Sequence, residues 1–194
     1  MLREPQKGFR VTTVRDDYRK LRISAALAAL IALAAIARGE NFCIESVGGR
    51  FGFPAEQDSS GFLSAEAFVD CNLPVSWELH TNYLMKIRMD FAAGWLGRSG
   101  ADAATTSAGP TLVLQRRGVP LLLEMGSSST LMTRYRFGDK DLGGPFQFTT
   151  HVGLSWEATR HLRLGYRYEH MSNAGLERPN PGVNLHTFAC SYVF

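Results

Sequence analysis

Hydrophobic and polar residues alternate with a period of two along much of the chain after residue 37. In the clearest segments one parity is apolar or aromatic, and the other carries small, polar or charged residues. Such alternation is typical of β-strands that separate an apolar from a polar environment. The pattern therefore predicts an all-β protein, with regular strands at Met85–Trp95, Phe148–Glu157, His161–Glu169 and His186–Phe194.

Less regular segments complete the predicted set of strands, separated by clusters of Gly, Pro, Asp and Ser, to a total of about eight. A tilted strand needs about 9 to 11 residues to cross hydrocarbon, and the regular segments reach that length. Alternation alone fits two folds, a soluble sandwich with its apolar faces inward and a membrane barrel with them outward. The irregular segments lie near residues 44–53, 61–71, 106–115 and 120–133.

The start of the chain bears on that choice. An apolar run from Ile23 to Ala37 ends in the small-residue pattern Ala35-Ile36-Ala37. The run is shorter than the roughly 20 apolar residues that span a bilayer. With the four basic residues before it, it predicts a signal peptide over residues 1–37, cleaved after Ala37. An uncleaved anchoring helix is the alternative. The basic residues are Arg15, Arg19, Lys20 and Arg22.

Composition is that of an average globular protein, with 45% hydrophobic residues, 20% charged residues and a net charge of +3. It does not exclude a membrane barrel, because alternation dilutes the apolar residues. The export signal, the charged strand faces and the aromatic residues near strand ends favour a barrel. We therefore predict that residues 38–194 form one domain, an eight-stranded antiparallel transmembrane β-barrel. The aromatic residues are Trp77, Trp95, Trp156, Tyr192 and Phe194.

The lumen of a barrel of about eight strands is just wide enough to be filled by side chains. The charged parity is therefore predicted to form a paired polar core, without a pore. An exported protein also meets an oxidising compartment, where a disulfide between Cys43 and Cys71 could form. The cysteine spacing fits no zinc motif, and the bulky residues before Cys43 disfavour lipid attachment there. The predicted core residues are Lys86, Arg88, Asp90, His151, Glu157, Arg163, Arg167 and Glu169.

Candidate chemistry lies at the end of the strand that begins near His161. His170 and Ser172 continue its apolar parity, so both are predicted to face the lipid near the headgroups. An imidazole two residues from a hydroxyl on one strand face meets the need of a Ser nucleophile for a general base. After a loop over residues 173–183, Asn184 has the matching parity on the last strand and could reach His170 in an antiparallel hairpin.

The residues around this pair form a specific string. His170-Met171-Ser172-Asn173-Ala174-Gly175-Leu176, followed by Pro179-Asn180-Pro181-Gly182, resembles the signature of PagL-type lipid A 3-O-deacylases. The resemblance implies that His170 is the base and Ser172 the nucleophile, and that Asn173 is important for activity. The Asn173 amide and the backbone N–H of Gly175 are the candidate donors to the oxyanion.

One position departs from the family pattern. The best-known members carry a glutamate that orients the histidine, where this chain has Asn184. An asparagine oxygen can hold the histidine tautomer, but it cannot stabilise imidazolium with a full charge. Glu177, from the loop, could replace the missing carboxylate by folding back towards His170.

The resemblance implies an ester hydrolase that releases a 3-hydroxyacyl chain from the 3-position of lipid A, without metal or cofactor. The implied partner is the lipid A of lipopolysaccharide, in the outer leaflet of a Gram-negative outer membrane that the barrel crosses many times. No nucleic acid is expected to bind, and a homodimer is left open. Two alternatives stand beside this prediction, a non-catalytic structural barrel and an esterase acting on another membrane lipid.

Overall fold

The computed structural model describes residues 44–80 and 82–194. The predicted signal peptide and Cys43 lie outside these residues, so the cleavage site and the disulfide stay predictions. The described chain contains ten strands and one 3-10 turn, Gln57–Ser59. In chain order the strands are β1 Ile44–Pro54, β2 Leu63–Leu79, β3 Tyr83–Arg98, β4 Ala101–Arg116, β5 Leu121–Met132, β6 Arg136–Phe137, β7 Lys140–Asp141, β8 Phe146–Glu157, β9 Leu162–Ser172 and β10 Val183–Val193.

Eight of these strands close into an antiparallel barrel in the order β1-β10-β9-β8-β5-β4-β3-β2. Closure comes from the pairing of the first and last strands, in which Ser46 lies opposite Val193 and Pro54 opposite Leu185. The short strands β6 and β7 form a separate ribbon in the connection between β5 and β8. The predicted eight-stranded all-β barrel is confirmed. Within the described ranges, no helix is both long and apolar enough to cross a membrane.

Polarity in the barrel is the reverse of that in a soluble protein. Val152, Leu154 and Phe188 point outward and are 48%, 53% and 54% exposed. Asp90 and Arg163 point inward and are each 4% exposed. A soluble sandwich would bury its apolar parity, so this distribution rules that alternative out. An apolar exterior around a polar lumen is the arrangement of a transmembrane barrel.

The lumen is filled by ion pairs between charged side chains on different strands. Arg50 bonds both oxygens of Asp90 at 2.9 Å and one oxygen of Glu66 at 2.7 Å. Arg88 contacts Glu124 at 2.9 Å, and it also contacts Glu45 and Asp70. Buried charges are tolerated when they are paired in this way. The predicted polar core is therefore present, with additional members from the irregular strands that sequence reasoning missed.

The regular strand near His161 begins one residue later than its sequence pattern indicates, at Leu162. His161 is exposed in the turn before it, where its Nδ1 lies 2.9 Å from the Val193 carbonyl oxygen. Its ring stacks on Tyr192 with centroids 5.2 Å apart. Turn geometry, rather than strand parity, therefore decides the position of this histidine.

The two ends of the barrel differ. The connections β2–β3, β4–β5 and β8–β9 are short, whereas three of the four at the opposite end are long. Arg98 links two of the long ones, because it donates to the carbonyls of Ser60 at 3.0 Å and Phe137 at 2.9 Å. Its hydrogen bond to Asp139 lowers the pKa of that carboxyl below its ordinary value. A buried apolar cluster caps the lumen at this end: Phe62, Leu96, Ala103, Met132, Phe137, Leu142, Met171, Val183 and Leu185.

The lumen ion pairs lead to a stability prediction. Arg88→Ala leaves the carboxylates of Glu124 and Asp70 buried without their cation, which is expected to lower the free energy of unfolding by about 3 to 5 kcal/mol. Urea unfolding of the barrel in lipid vesicles measures the change. The control is Arg117→Ala, which removes an exposed ion pair with Glu78 and is expected to cost less than about 1 kcal/mol. If Arg88→Ala lowered the free energy of unfolding by no more than Arg117→Ala does, the predicted role of the lumen pairs would be contradicted.

Candidate active site

The candidate site lies where β9 and β10 reach the long-loop end. The strand period of two places His170 and Ser172 on the outer face of β9, half-buried. The intervening Met171 and the preceding Glu169 point inward and are 7% and 6% exposed. On β10, Asn184 lies directly opposite His170 in the antiparallel register. Alternation on each strand and the hairpin register therefore bring the three polar side chains together.

The three side chains form a continuous hydrogen-bonded row. Nδ1 of His170 lies 2.7 Å from Oδ1 of Asn184, and Nε2 of His170 lies 3.1 Å from Oγ of Ser172. The Asn184 oxygen can only accept, so it holds the proton on Nδ1. Nε2 then presents its lone pair to the Ser172 hydroxyl. This is the geometry in which a histidine takes a proton from a serine nucleophile.

The main chain of Asn184 is held by the connection between β1 and β2. Its N–H donates to Oγ of Ser59 at 2.8 Å, and its carbonyl accepts from the N–H of Ala55 at 2.9 Å. Ser59 is 1% exposed, so water does not compete for its hydroxyl. The third member of the row is therefore positioned by residues distant in sequence.

None of the described residues form a group of three or more His, Cys, Asp or Glu side chains that could hold a metal ion.

Asn173, directly after Ser172, is 1% exposed and organises the loop. Its Nδ2 donates to the carbonyls of Leu142 at 3.2 Å and Glu177 at 3.0 Å. Its Oδ1 accepts from the N–H of Gly175 at 2.9 Å. Both donors that were expected at the oxyanion thus have other acceptors, which lie in this loop and, for Leu142, in the connection between β5 and β8. An oxyanion role for either one stays a prediction.

The loop after β9 packs closely on the connection between β5 and β8. A Cβ atom on Gly143 would lie 2.0 Å from the Pro179 carbonyl oxygen and 2.5 Å from Nδ2 of Asn173, and Gly143 has a φ of +81°. Only glycine fits there without a backbone shift. The carboxylate of Glu177 packs against Gly144. Since Asn184 occupies Nδ1 of His170, the expectation that Glu177 replaces the missing carboxylate is wrong.

Asn180 is a candidate functional residue that sequence reasoning missed. Its Oδ1 accepts from the backbone N–H of Asn173 at 3.1 Å. Its NH₂ group has no partner among the described residues. Two unused donors therefore lie beside the residue that follows Ser172. The signal was present in the string Pro179-Asn180-Pro181-Gly182, but only the folded loop brings Asn180 back to Asn173, the residue after Ser172.

The outer wall beside the site combines aromatic rings with hydrogen-bonding groups. The hydroxyl of Tyr166 lies 2.8 Å from Nδ1 of His186, and the hydroxyl of Tyr168 donates to Glu56 at 3.0 Å. Phe188 packs on Tyr166 with ring centroids 5.3 Å apart. The wall can thus accept apolar chains while it offers polar groups close to the row of His170.

Comparison with known proteins points to one family. The model of the family "Lipid A 3-O-deacylase (PagL)" matches residues 65–193. The lipid A deacylase PagL of Bordetella bronchiseptica is 35% identical over 100 residues, which cover 47% of this chain and 56% of that protein. Its counterpart from Pseudomonas aeruginosa is 29% identical over 93 residues, covering 47% and 54%. The chain thus spans about half the length of these curated relatives.

The fold has a counterpart among solved structures. The crystal structure of the outer membrane enzyme PagL superimposes with a TM-score of 0.68 at 21% identity, covering 77% of this chain and 99% of that chain. This likeness agrees with the barrel described above. Because the family model covers well over half of the sequence, including His170, Ser172 and Asn184, the chain belongs to the lipid A 3-O-deacylase (PagL) family.

Proposed function

We propose that this protein is a lipid A deacylase that hydrolyses the ester-linked 3-hydroxyacyl chain at the 3-position. Ser172 is the nucleophile and His170 the general base. The observation that carries the proposal is the row in which His170 lies 3.1 Å from Ser172 and 2.7 Å from Asn184. Family membership supports lipid A as the substrate.

In the first half of the reaction, Oγ of Ser172 attacks the ester carbonyl carbon while its proton passes to Nε2 of His170. The carbonyl carbon becomes tetrahedral, and its oxygen becomes an oxyanion. His170 then returns the proton to the departing sugar oxygen, and the carbon–oxygen bond to the sugar breaks. The products are deacylated lipid A, with a free sugar hydroxyl, and an acyl ester on Ser172. In this half-reaction Asn184 keeps the imidazole in the required tautomer and orientation.

The second half repeats the chemistry with water. His170 takes a proton from water, whose oxygen attacks the acyl carbonyl carbon. The bond to Oγ of Ser172 breaks, and the proton returns to Ser172. A free 3-hydroxy fatty acid leaves, and the enzyme is restored.

The oxyanion needs hydrogen-bond donors that are already oriented. Asn180 supplies them on this proposal, because its oxygen is fixed on the Asn173 N–H while both of its amide hydrogens are unused. Asn173 and Gly175 then act by shaping the loop that presents Asn180 to Ser172.

Substrate reaches the site from the side. The row of His170 lies on the outer face of the barrel, so lipid A can diffuse in the membrane plane with its acyl chains in the bilayer. The chains would lie along the exposed residues Leu164, Tyr166, Phe188 and Tyr192, which are 39%, 40%, 54% and 49% exposed. The site therefore needs no tunnel through the lumen.

The loop lengths orient the barrel. Outer-membrane barrels have short periplasmic turns and longer extracellular loops. The site lies at the long-loop end and so would face the outer leaflet, where lipid A resides. This orientation supports a location in the outer membrane of a Gram-negative cell.

Ser172→Ala tests the reaction. The folded full chain in detergent micelles is expected to release one 3-hydroxy fatty acid per lipid A, and the variant is expected to lose about 10⁴-fold or more in kcat. Mass spectrometry of the lipid and of the released fatty acid, for the wild type and for the variant, gives the result. A folded wild-type barrel that releases nothing favours the non-catalytic alternative, and release only from phospholipid favours an esterase with another substrate.

Asn180→Asp tests the oxyanion donor. The aspartate oxygen still accepts from Asn173, but the NH₂ donors are replaced by a negative charge. We expect kcat to fall by about 10² to 10³ with little change in KM, because the lost interaction forms only in the transition state. A steady-state assay on lipid A micelles measures both constants. An unchanged kcat would exclude Asn180 as the donor.

Asn173→Ala tests the loop. The change leaves the Glu177 carbonyl without its side-chain donor and leaves Gln147 as the remaining side-chain donor to Leu142, which is expected to cost about 1 to 3 kcal/mol locally. Limited proteolysis should then cut within residues 174–182 faster than in the wild type, while the urea midpoint of the barrel changes little. Ser128→Ala, on β5 and also buried, is the control for a polar change outside the loop. Equal cleavage rates in wild type and Asn173→Ala would contradict the loop role.

A further inference from the structure

The row of His170 contains no negative charge of its own. Asn184 accepts from Nδ1 at 2.7 Å and so fixes the tautomer. A neutral amide does not balance the positive charge that the imidazole gains when it takes the proton of Ser172. That charge therefore depends on groups outside the row.

The β1–β2 connection carries a carboxylate next to its contact with β10. Ala55 donates to the carbonyl of Asn184 at 2.9 Å, and Glu56 follows it directly. The side chain of Glu56 accepts at 3.0 Å from the hydroxyl of Tyr168, which belongs to β9. Tyr168 lies two residues before His170 on the same face of that strand. The hydrogen bond between Tyr168 and Glu56 thus connects the strand that carries His170 with the residue next to the one that contacts Asn184.

The charge of Glu56 is not neutralised by its surroundings. Other exposed acids of the described chain, such as Glu78 and Asp139, form ion pairs with arginine. Among the described residues, the side chain of Glu56 has the neutral phenol of Tyr168 as its partner and no cation within ion-pair distance. An unpaired carboxylate near hydrocarbon acts through a lower dielectric than one in bulk water, so its field extends further.

We propose that Glu56 is a positioning residue of the active site, whose carboxylate, held by Tyr168 across Asn184, provides the negative charge that stabilises protonated His170 during acyl transfer. The inference rests on the proposed function of Ser172 and His170. No bond to Glu56 forms or breaks, because the proton moves only between Ser172, His170 and the leaving or attacking oxygen.

Glu56→Gln tests the charge, since the glutamine oxygen can still accept from Tyr168. With the folded full chain in lipid A micelles, kcat is expected to fall about tenfold while KM stays within about twofold, the effect of one unit charge several ångströms away. The rate at which a fluorophosphonate labels Ser172 should fall by a similar factor. Glu78→Gln removes the same net charge at the opposite end of the barrel and is the matched control, with no change expected.

Asn184→Glu separates a charge effect from a structural one. In that variant a carboxylate contacts His170 directly, so adding Glu56→Gln is expected to lower kcat by less than about twofold. Equal losses in both backgrounds, or an unchanged kcat in Glu56→Gln alone, overturn the inference while the proposed function stands. A folded wild-type barrel that neither deacylates lipid A nor reacts with the fluorophosphonate at Ser172 overturns both.

Discussion

In a closed ring of antiparallel strands, one parity of every strand faces the lumen and the other faces outward, and in this barrel the charged parity is inside. That placement is stable only because the lumen charges pair across strands, as Arg50 does with Asp90 and Glu66. Pairing of β1 with β10 completes the ring, so no strand edge is left open to hydrocarbon. Because the charges are paired inside, the outward face can be apolar and contact lipid. The candidate site lies on this outward face.

A site on such an exterior has to combine access from the membrane with a fixed geometry. On the proposed function, the position of His170 and Ser172 at the loop end of β9 gives lipid access to them near the level of the headgroups. Rigidity comes from below, where the inward residues of the same hairpin, Met171, Val183 and Leu185, belong to the buried apolar cluster. The hairpin of β9 and β10 thus supplies both the outward polar face and the packed residues beneath it.

Orientation and charge are separate tasks in a Ser–His site, and on our proposals different residues perform them here. Asn184 orients His170 through a single short hydrogen bond, and Ser59 holds the main chain of Asn184 in turn. A carboxylate at the Asn184 position would perform both tasks at once. On our proposal Glu56 restores the charge from a neighbouring connection, which would let the family chemistry persist with a neutral third residue.

Local patterns in the sequence determined the features that belong to a single strand or hairpin. Side-chain parity is a property of one strand, so the sequence could predict the regular strands, the shared face of His170 and Ser172 and the position of Asn184 opposite His170. The pattern began a strand at His161, but the turn before β9 holds that residue. The irregular strands gave weaker patterns, and the lumen acids Glu66 and Asp70 were accordingly missed.

The direction of each strand face was decided only by the tertiary structure, since alternation is symmetrical between inside and outside until the ring closes. The same holds for contacts between distant segments. Asn184 and Ser59 are 125 positions apart, and the bond from Tyr168 to Glu56 spans 112. Barrel closure and the register of β1 on β10 bring these distant residues into contact. The sequence by itself determined only which side chains share a face of a strand or lie opposite each other in a hairpin.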